Sequence, residues 1–343
     1  MHSSLPIRSA LLGAVLTLYA SAGWSQPVTS AVSDAPAAPL AAERRSISEW
    51  LMRMHEASRT RNYVGTFVVS SEAMLASARI WHACEGDQQI ERVDSLTGPP
   101  RSTFRRNEHV VTFLQDSKVA RIEKRDSLGM FPNLLQGSDS SIPDFYTARQ
   151  IGSDRVAGFE ADIVLLKPRD KLRYGYRIWS EKKTGLVIKL QTLDHDGRVL
   201  EQAAFSELQL DAPVRVDKLS QLMAKTAGYR KEVVETVQTD PGAEGWSLRI
   251  PVVGFKFLSC IKRPTTAGAM QQGTVQWVFS DGLASVSLFL EPYDMQRHVK
   301  EGTVAVGATQ SLTQRTESWW LTAVGEVPPS TLQAFVRALE RKK

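Results

Sequence analysis

From Arg155 to Leu208 the chain is a succession of strand-forming runs separated by turn signals, which restricts this part to antiparallel sheet. The runs Arg173–Ser180 and Leu186–Leu193 are joined by Lys182-Lys183-Thr184-Gly185, a short glycine-containing loop of hairpin type. The next pair turns at Asp194-His195-Asp196-Gly197 and continues in Val199-Leu200-Glu201-Gln202. Almost no side chain in this stretch is of a type that performs covalent chemistry.

The surrounding chain divides into two bodies. Ser46 and Glu49 are spaced as a capping box, and Ile47, Trp50, Leu51 and Met54 follow on one helical face. A strand over Tyr63–Ser70 comes next, then shorter strands from Ser77 to Glu123, with His109–Gln115 and Val119–Glu123 as sheet neighbours. The long connection from Lys124 to Tyr146 carries Met130-Phe131-Pro132 and Leu134-Leu135, an apolar cluster suited to a flap. Strands resume at Ala148 and end at Leu210.

Residues 213–245 then read as an inter-domain linker, with a short helix at Leu219, Leu222 and Met223 and the breaker Asp240-Pro241-Gly242. The second body, 246–343, has a hairpin around Asp281-Gly282. A second pair is expected from Thr303–Thr313 and Ser318–Gly325. A final helix begins at Pro328-Pro329-Ser330, with Leu332, Phe335, Val336 and Leu339 on one face. The fold class is α+β.

Arg8, the apolar run Ala10–Ala20 and the site Ala20-Ser21-Ala22 form a secretory signal, so residues 1–22 are expected to be a signal peptide. Residues 23–45, rich in Pro, Ala and Ser, read as a disordered leader. Export permits disulfides, yet there are only two cysteines, Cys84 and Cys260, which fall in different bodies. Two unpaired thiols are expected, because a bridge would fasten bodies that should move. The net charge of +5 arises from scattered basic residues with no basic stripe, which argues against nucleic acid.

Phosphate loops, nucleophile elbows, HExxH and CxxC arrangements do not occur. Asp194-His195-Asp196 is the one place where acids flank an imidazole, and the hairpin turn explains it more simply than a metal does. His82 and Cys84 share a strand face, but a nucleophile pair also needs an orienting third group. The expectation is therefore no enzyme, no cofactor and no metal.

Three groups of residues carry a family resemblance. They are Trp50-Leu51-Met52-Arg53-Met54 with Asn62–Phe67; Arg155–Glu160 with Arg173–Trp179 and the hairpin that follows; and Ser280–Ser287 with Val324-Gly325-Glu326-Val327-Pro328. Together they resemble the RseB/MucB family of periplasmic regulators. The family's Pro-Gly-Phe element stands here as Pro251-Val252-Val253-Gly254-Phe255, one residue looser.

The resemblance implies a LolA-like half-barrel over 46–212, able to hold acyl chains, and a smaller antiparallel α+β domain after it. It implies a periplasmic negative regulator of the sigma-E envelope stress response. Such a regulator binds the periplasmic part of a membrane-bound anti-sigma factor, shields it from proteolysis, and is released by lipid or lipopolysaccharide. Expected lipid-lining residues are Phe67, Phe113, Leu114, Phe131, Leu134, Leu135 and Trp179; expected partner-binding residues are Trp277, Phe279, Arg297 and Trp319. A homo-oligomer is compatible with this reading. The rival is a periplasmic lipid or lipoprotein carrier of the LolA type, which would have no obvious use for the second body.

Overall fold

A computed structural model describes residues 46–72, 74–124, 131–132, 135, 141–263 and 273–342. The expected signal peptide and leader, Met130, Leu134 and residues 137–140 lie outside the described residues.

Helix α1 (Ile47–Thr60) starts at the anticipated capping box: the Ser46 N–H donates to Glu49 Oε2 at 2.6 Å, and the Glu49 N–H donates to Ser46 Oγ at 3.2 Å. Its buried face is Trp50, Leu51, Met54, Ala57 and Ser58. An antiparallel meander follows: β1 (Tyr63–Ser71), β2 (Met74–Glu85), β3 (Gln88–Ser95), β4 (Arg101–Arg106), β5 (His109–Leu114) and β6 (Val119–Lys124). After α2 (Ile142–Phe145) comes a second meander: β7 (Tyr146–Val156), β8 (Phe159–Pro168), β9 (Gly175–Glu181), β10 (Val187–Leu193) and β11 (Val199–Leu210).

The two meanders are fused where β1 pairs with β11, Tyr63 opposite Leu210 and Phe67 opposite Phe205. Gly65 makes that junction possible, because a Cβ there would sit 2.6 Å from the Phe205 ring and 2.8 Å from the Glu207 carbonyl oxygen. Helix α3 (Val216–Ala224) then covers one face of β3–β6, and β12 (Arg230–Val233) adds a parallel strand beside β6. The result is a 12-stranded sheet in the order β12-β6-β5-β4-β3-β2-β1-β11-β10-β9-β8-β7.

The second sheet has seven strands. It is built from β13 (Val237–Gln238), β15 (Lys256–Arg263), β16 (Thr274–Ser280), β17 (Ser285–Pro292), β18 (Gly302–Val306), β19 (Thr309–Thr316) and β20 (Trp319–Gly325). Helix α4 (Pro329–Ala338) buries Leu332 and Phe335 against it, and β14 (Trp246–Leu248) pairs with β21 (Leu339–Arg341) alongside. The architecture is α+β, a large antiparallel sheet and a smaller one with few helices.

Two expectations about elements change in detail. The stretch 213–245 is not plain connection: it supplies α3 and β12 to the first sheet and β13 to the second, so only residues 234–236 run between them. Thr303–Thr313 is not one strand either. It folds back at Gly307 (φ 59°) and Ala308, forming β18 and β19. The glycine accepts the left-handed conformation, and Ala308 is small enough to be buried there.

Candidate functional site: a cavity where the two sheets meet

Side chains alternate across a strand, so each residue of β2–β6 faces either α3 or the opposite side. The α3 side carries Ala83, Ile90, Phe104, Val111, Phe113 and Ala120, a core sealed by Val216 and Leu219. The other side lines a cavity of about 950 Å³, bordered by strands β1–β6 and β8–β11, by α1, and by Phe131, Pro132 and Leu135. Its size is at the upper end of ligand pockets, roughly 300–1,000 Å³.

The cavity has two chemically distinct halves. One is apolar and includes Phe67, Ile80, Phe131, Leu135, Leu166 and Ile178. Phe131 closes on Phe67 and Phe205 at ring separations of 5.6 and 5.1 Å, so this part of the long connection does pack down over the sheet. The other half, on β3–β6, presents Arg101, Arg105 and Arg121 with Glu91 and Glu123. Arg105 pairs with Glu91 at 3.5 Å and Arg121 with Glu232 at 3.4 Å. Such a cavity matches an amphipathic molecule, with its tail on the aromatic side and a polar head on the other.

Four of the expected lining residues are brought together here: Phe67, Leu114, Phe131 and Leu135. Two others are placed elsewhere, and strand parity is the reason. Phe113 is one residue from Leu114 and therefore faces α3, 5.0 Å from the Tyr229 ring. Trp179 is one residue from Ile178; its indole N–H donates to Asp154 at 3.2 Å, and Lys189 lies 4.3 Å from its ring. The seventh, Leu134, lies outside the described residues.

The second sheet closes one end of the cavity with Leu283 and Glu326, opposite Glu201 on β11. Beside this end lies a fully buried ion pair. Arg173 Nε donates to Asp281 Oδ2 at 2.7 Å, with both side chains at 0% exposure. Its Nη2 donates to the Val253 carbonyl at 2.8 Å and its Nη1 to Asp170, while Phe145 and Phe255 lie 4.2 and 4.9 Å from its guanidinium. Asp281 also accepts the Tyr146 hydroxyl at 3.3 Å and the Leu283 and Ala284 N–H groups at 2.9 and 2.8 Å. These partners offset part of the burial that raises the Asp281 carboxyl above its ordinary value.

Gly254 belongs to this arrangement: its φ is +80°, and a Cβ there would lie 2.0 Å from Arg173 Nη2. Sequence reading missed Arg173 and Asp281 as partners. The signal was present, since Arg173, Asp281 and Glu326 all lie in the motifs that carry the family resemblance, and Gly254 in the loosened Pro-Gly-Phe element.

Of the expected partner-binding residues, Trp277 and Phe279 are interior, 6% and 4% exposed, their rings 4.8 Å apart within the core beneath α4. Both lie on the face of β16 that α4 covers, where an aromatic side chain is core, and Val278 between them is buried as well. Trp319 is half-buried, 5.5 Å from Trp246 with Arg341 at 4.3 Å from its ring. Arg297 is exposed and pairs with Glu291 at 2.7 Å. The apolar side chains that do reach the surface of this domain include Ile250, Val253, Phe257 and Leu258, which no periodicity marked out.

The remaining chemical candidates resolve into structure. Asp194 accepts the N–H groups of Asp196 and Arg198 at 2.9 and 2.8 Å, so it ties the hairpin turn. Among the described residues no group of three or more His, Cys, Asp or Glu is arranged for a metal. Burial pushes the Cys84 thiol up from its ordinary value, and its Sγ donates to Asn62 Oδ1 at 3.2 Å, opposite to what a nucleophile needs. Cys84 and Cys260 are unpaired, on β2 and β15.

The chain is similar to known proteins. The chain is 28% identical over 308 residues to the sigma factor AlgU regulatory protein MucB of Pseudomonas aeruginosa, covering 85% of this chain and 90% of that protein. It is 23% identical over 294 residues to the sigma-E factor regulatory protein RseB of Escherichia coli K12, covering 84% and 89%. Among solved structures it is similar to MucB in complex with MucA(peri), with a TM-score of 0.64, 26% identity, and coverage of 86% of this chain and 99% of that one. Residues 46–223 match the MucB/RseB N-terminal domain and residues 240–340 the MucB/RseB C-terminal domain, so the chain belongs to the MucB/RseB family.

Proposed function

We propose that this protein is a periplasmic regulator of a sigma factor and acts by binding the periplasmic part of a membrane-bound anti-sigma factor. The observation that carries the reading is a cavity built by the N-terminal domain but closed at one end by the C-terminal domain, through Leu283 and Glu326. A ligand in that cavity touches both domains, so it can change how they present themselves to a third molecule. The reading is supported by the similarity to MucB, whose complex with MucA(peri) has been solved.

In this reading the bound anti-sigma segment is shielded from proteolysis, and an acylated lipid or lipopolysaccharide in the cavity favours release. Its tail lies against Phe67, Phe131, Leu135 and Ile178, and its anionic head faces Arg101 and Arg105. For release to follow, the lipid must bind the free protein more tightly than the complexed one. A carrier of the LolA type would need only the first of the two domains, whereas here the second completes the cavity.

The test is co-purification of the full chain with an anti-sigma factor's exported segment, with and without lipopolysaccharide. Capture that lipopolysaccharide reverses supports the proposal. Absence of capture in either condition rejects it.

A further inference from the structure

Strand side chains point alternately to the two faces of a sheet, and the cavity uses one face of the first sheet. On the other face a shallower groove of about 450 Å³ runs between the sheet and α3. The two sites interleave along β2: Ile80 lines the cavity, while its neighbours Arg79 and Trp81 line the groove. An occupant of the groove therefore leaves the cavity open.

The floor of the groove is apolar, formed by Val64, the half-buried Trp81 and Leu219, with Leu222 at its rim 38% exposed. Four cations line it, Arg79, Arg92, Arg215 and Lys218, and no acidic side chain does. Arg79 and Arg92 both lie over the Trp81 ring, at 5.4 and 4.9 Å from its centroid.

The nearest acids are already committed. Arg79 stands opposite Asp94 in the β2–β3 register, but Asp94 accepts two hydrogen bonds from Arg92, at 2.9 and 2.6 Å. Asp217 likewise accepts two from Arg215, at 3.0 and 2.9 Å. Among the described residues neither Arg79 nor Lys218 forms an ion pair, and both are exposed. Glu207, two strands from Arg79 across Thr66, is the other acid in that row. With Glu207 counted, the patch still keeps a positive excess.

We propose that this groove docks the protein on the surface of an anionic phospholipid bilayer. Trp81 and Leu222 meet the headgroup layer, and Arg79 and Lys218 meet its phosphates. A site for one free anion would gather its donors around a point. Here the cations come from β2, β3 and the start of α3 and ring an apolar floor, the complement of charged headgroups above acyl chains. For a partner anchored in the same bilayer, docking confines the regulator to the partner's plane and raises its effective concentration. The docking itself does not rest on the regulatory reading.

Co-sedimentation of the full chain with vesicles tests the proposal, using phosphatidylcholine alone or with a minority of phosphatidylglycerol. Binding is expected to the mixed vesicles only and should weaken as salt is added. R79Q/K218Q should reduce partitioning roughly 30-fold, each basic side chain near an anionic surface being worth about fivefold. Both positions are exposed, so the variant should keep the wild-type melting temperature. K182Q/K183Q, at the exposed β9–β10 turn, makes the same change in net charge and should bind as the wild type does.

Equal binding to both kinds of vesicle, or equal losses in the two double variants, overturns the proposal. Loss of vesicle binding in Phe131→Asp would assign it to uptake through the cavity instead. Release by glycerol phosphate in solution would make the groove a site for a soluble anion. R79Q/K218Q should still capture the anti-sigma factor's exported segment when no vesicles are present. Loss of that capture would make the groove a protein contact and sink the docking role, whereas failure of the wild type to capture it bears on the regulatory reading alone.

Discussion

Arg173 and Asp281 lie 108 residues apart in sequence, belong to different domains, and meet at 2.7 Å with no solvent on either side chain. Two charges taken out of water are tolerated only when the geometry satisfies them, and removing one partner leaves the other uncompensated. Asp281 accepts from four donors: Arg173 Nε, the Tyr146 hydroxyl and the Leu283 and Ala284 N–H groups. The domain junction is thereby tied to one arrangement. The sequence-based expectation that the two bodies should move is narrowed: any motion must leave this pair intact or break it at considerable cost.

Breaking the pair should therefore be expensive. Arg173→Met or Asp281→Ala is expected to destabilise the protein by about 3–5 kcal/mol, the usual cost of stranding one member of a buried pair. Calorimetry should then show the two domains unfolding in separate steps. A single transition at the wild-type temperature would contradict the assigned role.

Gly254→Ala should imitate that defect without touching a charge. The new methyl group would sit 2.0 Å from Arg173 Nη2, in a backbone conformation (φ +80°) that alanine resists. The expected loss exceeds about 1 kcal/mol. It should shrink but not vanish when alanine is introduced in an Arg173→Met background, because the Nη2 collision is gone while the φ strain and the approach to the Phe145 ring at 2.7 Å remain. Additive losses in the double variant, measured by denaturant unfolding, would disprove the contact.

Cavity and core aromatics should separate cleanly. Phe131→Asp or Ile178→Asp is expected to abolish binding of a fluorescent fatty acid to the folded protein. Phe113→Leu and Trp179→Phe should leave it within about twofold, since these side chains face away from the cavity. In the C-terminal domain, Trp277→Ala and Phe279→Ala should each cost about 3–5 kcal/mol of stability, as for large buried aromatics. Arg297→Ala, at an exposed pair with Glu291, should cost less than about 1 kcal/mol. Loss of partner binding by Trp277→Ala with unchanged stability would reverse the assignment.

The junction acids give stability a defined pH dependence. Because Glu326 and Glu201 are raised, the folded protein holds protons that the unfolded chain has released, and stability declines as pH climbs towards about 7. Melting temperature followed over that interval should fall in the wild type and fall less in Glu326→Gln. Identical slopes would show that these groups do not control it.

How much of this was legible in the sequence depends on the range of the interaction. The capping box at Ser46, the hairpins at Gly185, Gly197 and Gly282, and the apolar face of α4 are local patterns, and each appears where spacing places it. Strand parity is equally local: Phe113 and Leu114 cannot both face one cavity, nor can Trp179 join Ile178. Burial of Trp277 and Phe279 depends on which face α4 covers, a tertiary fact that a β-strand of mixed residues does not announce. The pairing of β12 with β6 and the meeting of Arg173 with Asp281 are non-local, so only the resemblance motifs that contain Arg173 and Asp281 hinted at them.

Affinity of the full chain for the exported segment of an anti-sigma factor, titrated calorimetrically in the absence and presence of an acylated lipopolysaccharide, tests the regulatory account most directly. The expected result is measurable binding that the lipid weakens by roughly 5–150-fold, the usual range of coupling between two sites, with Phe131→Asp insensitive to lipid. No binding, or an affinity that lipid leaves unchanged, would contradict it.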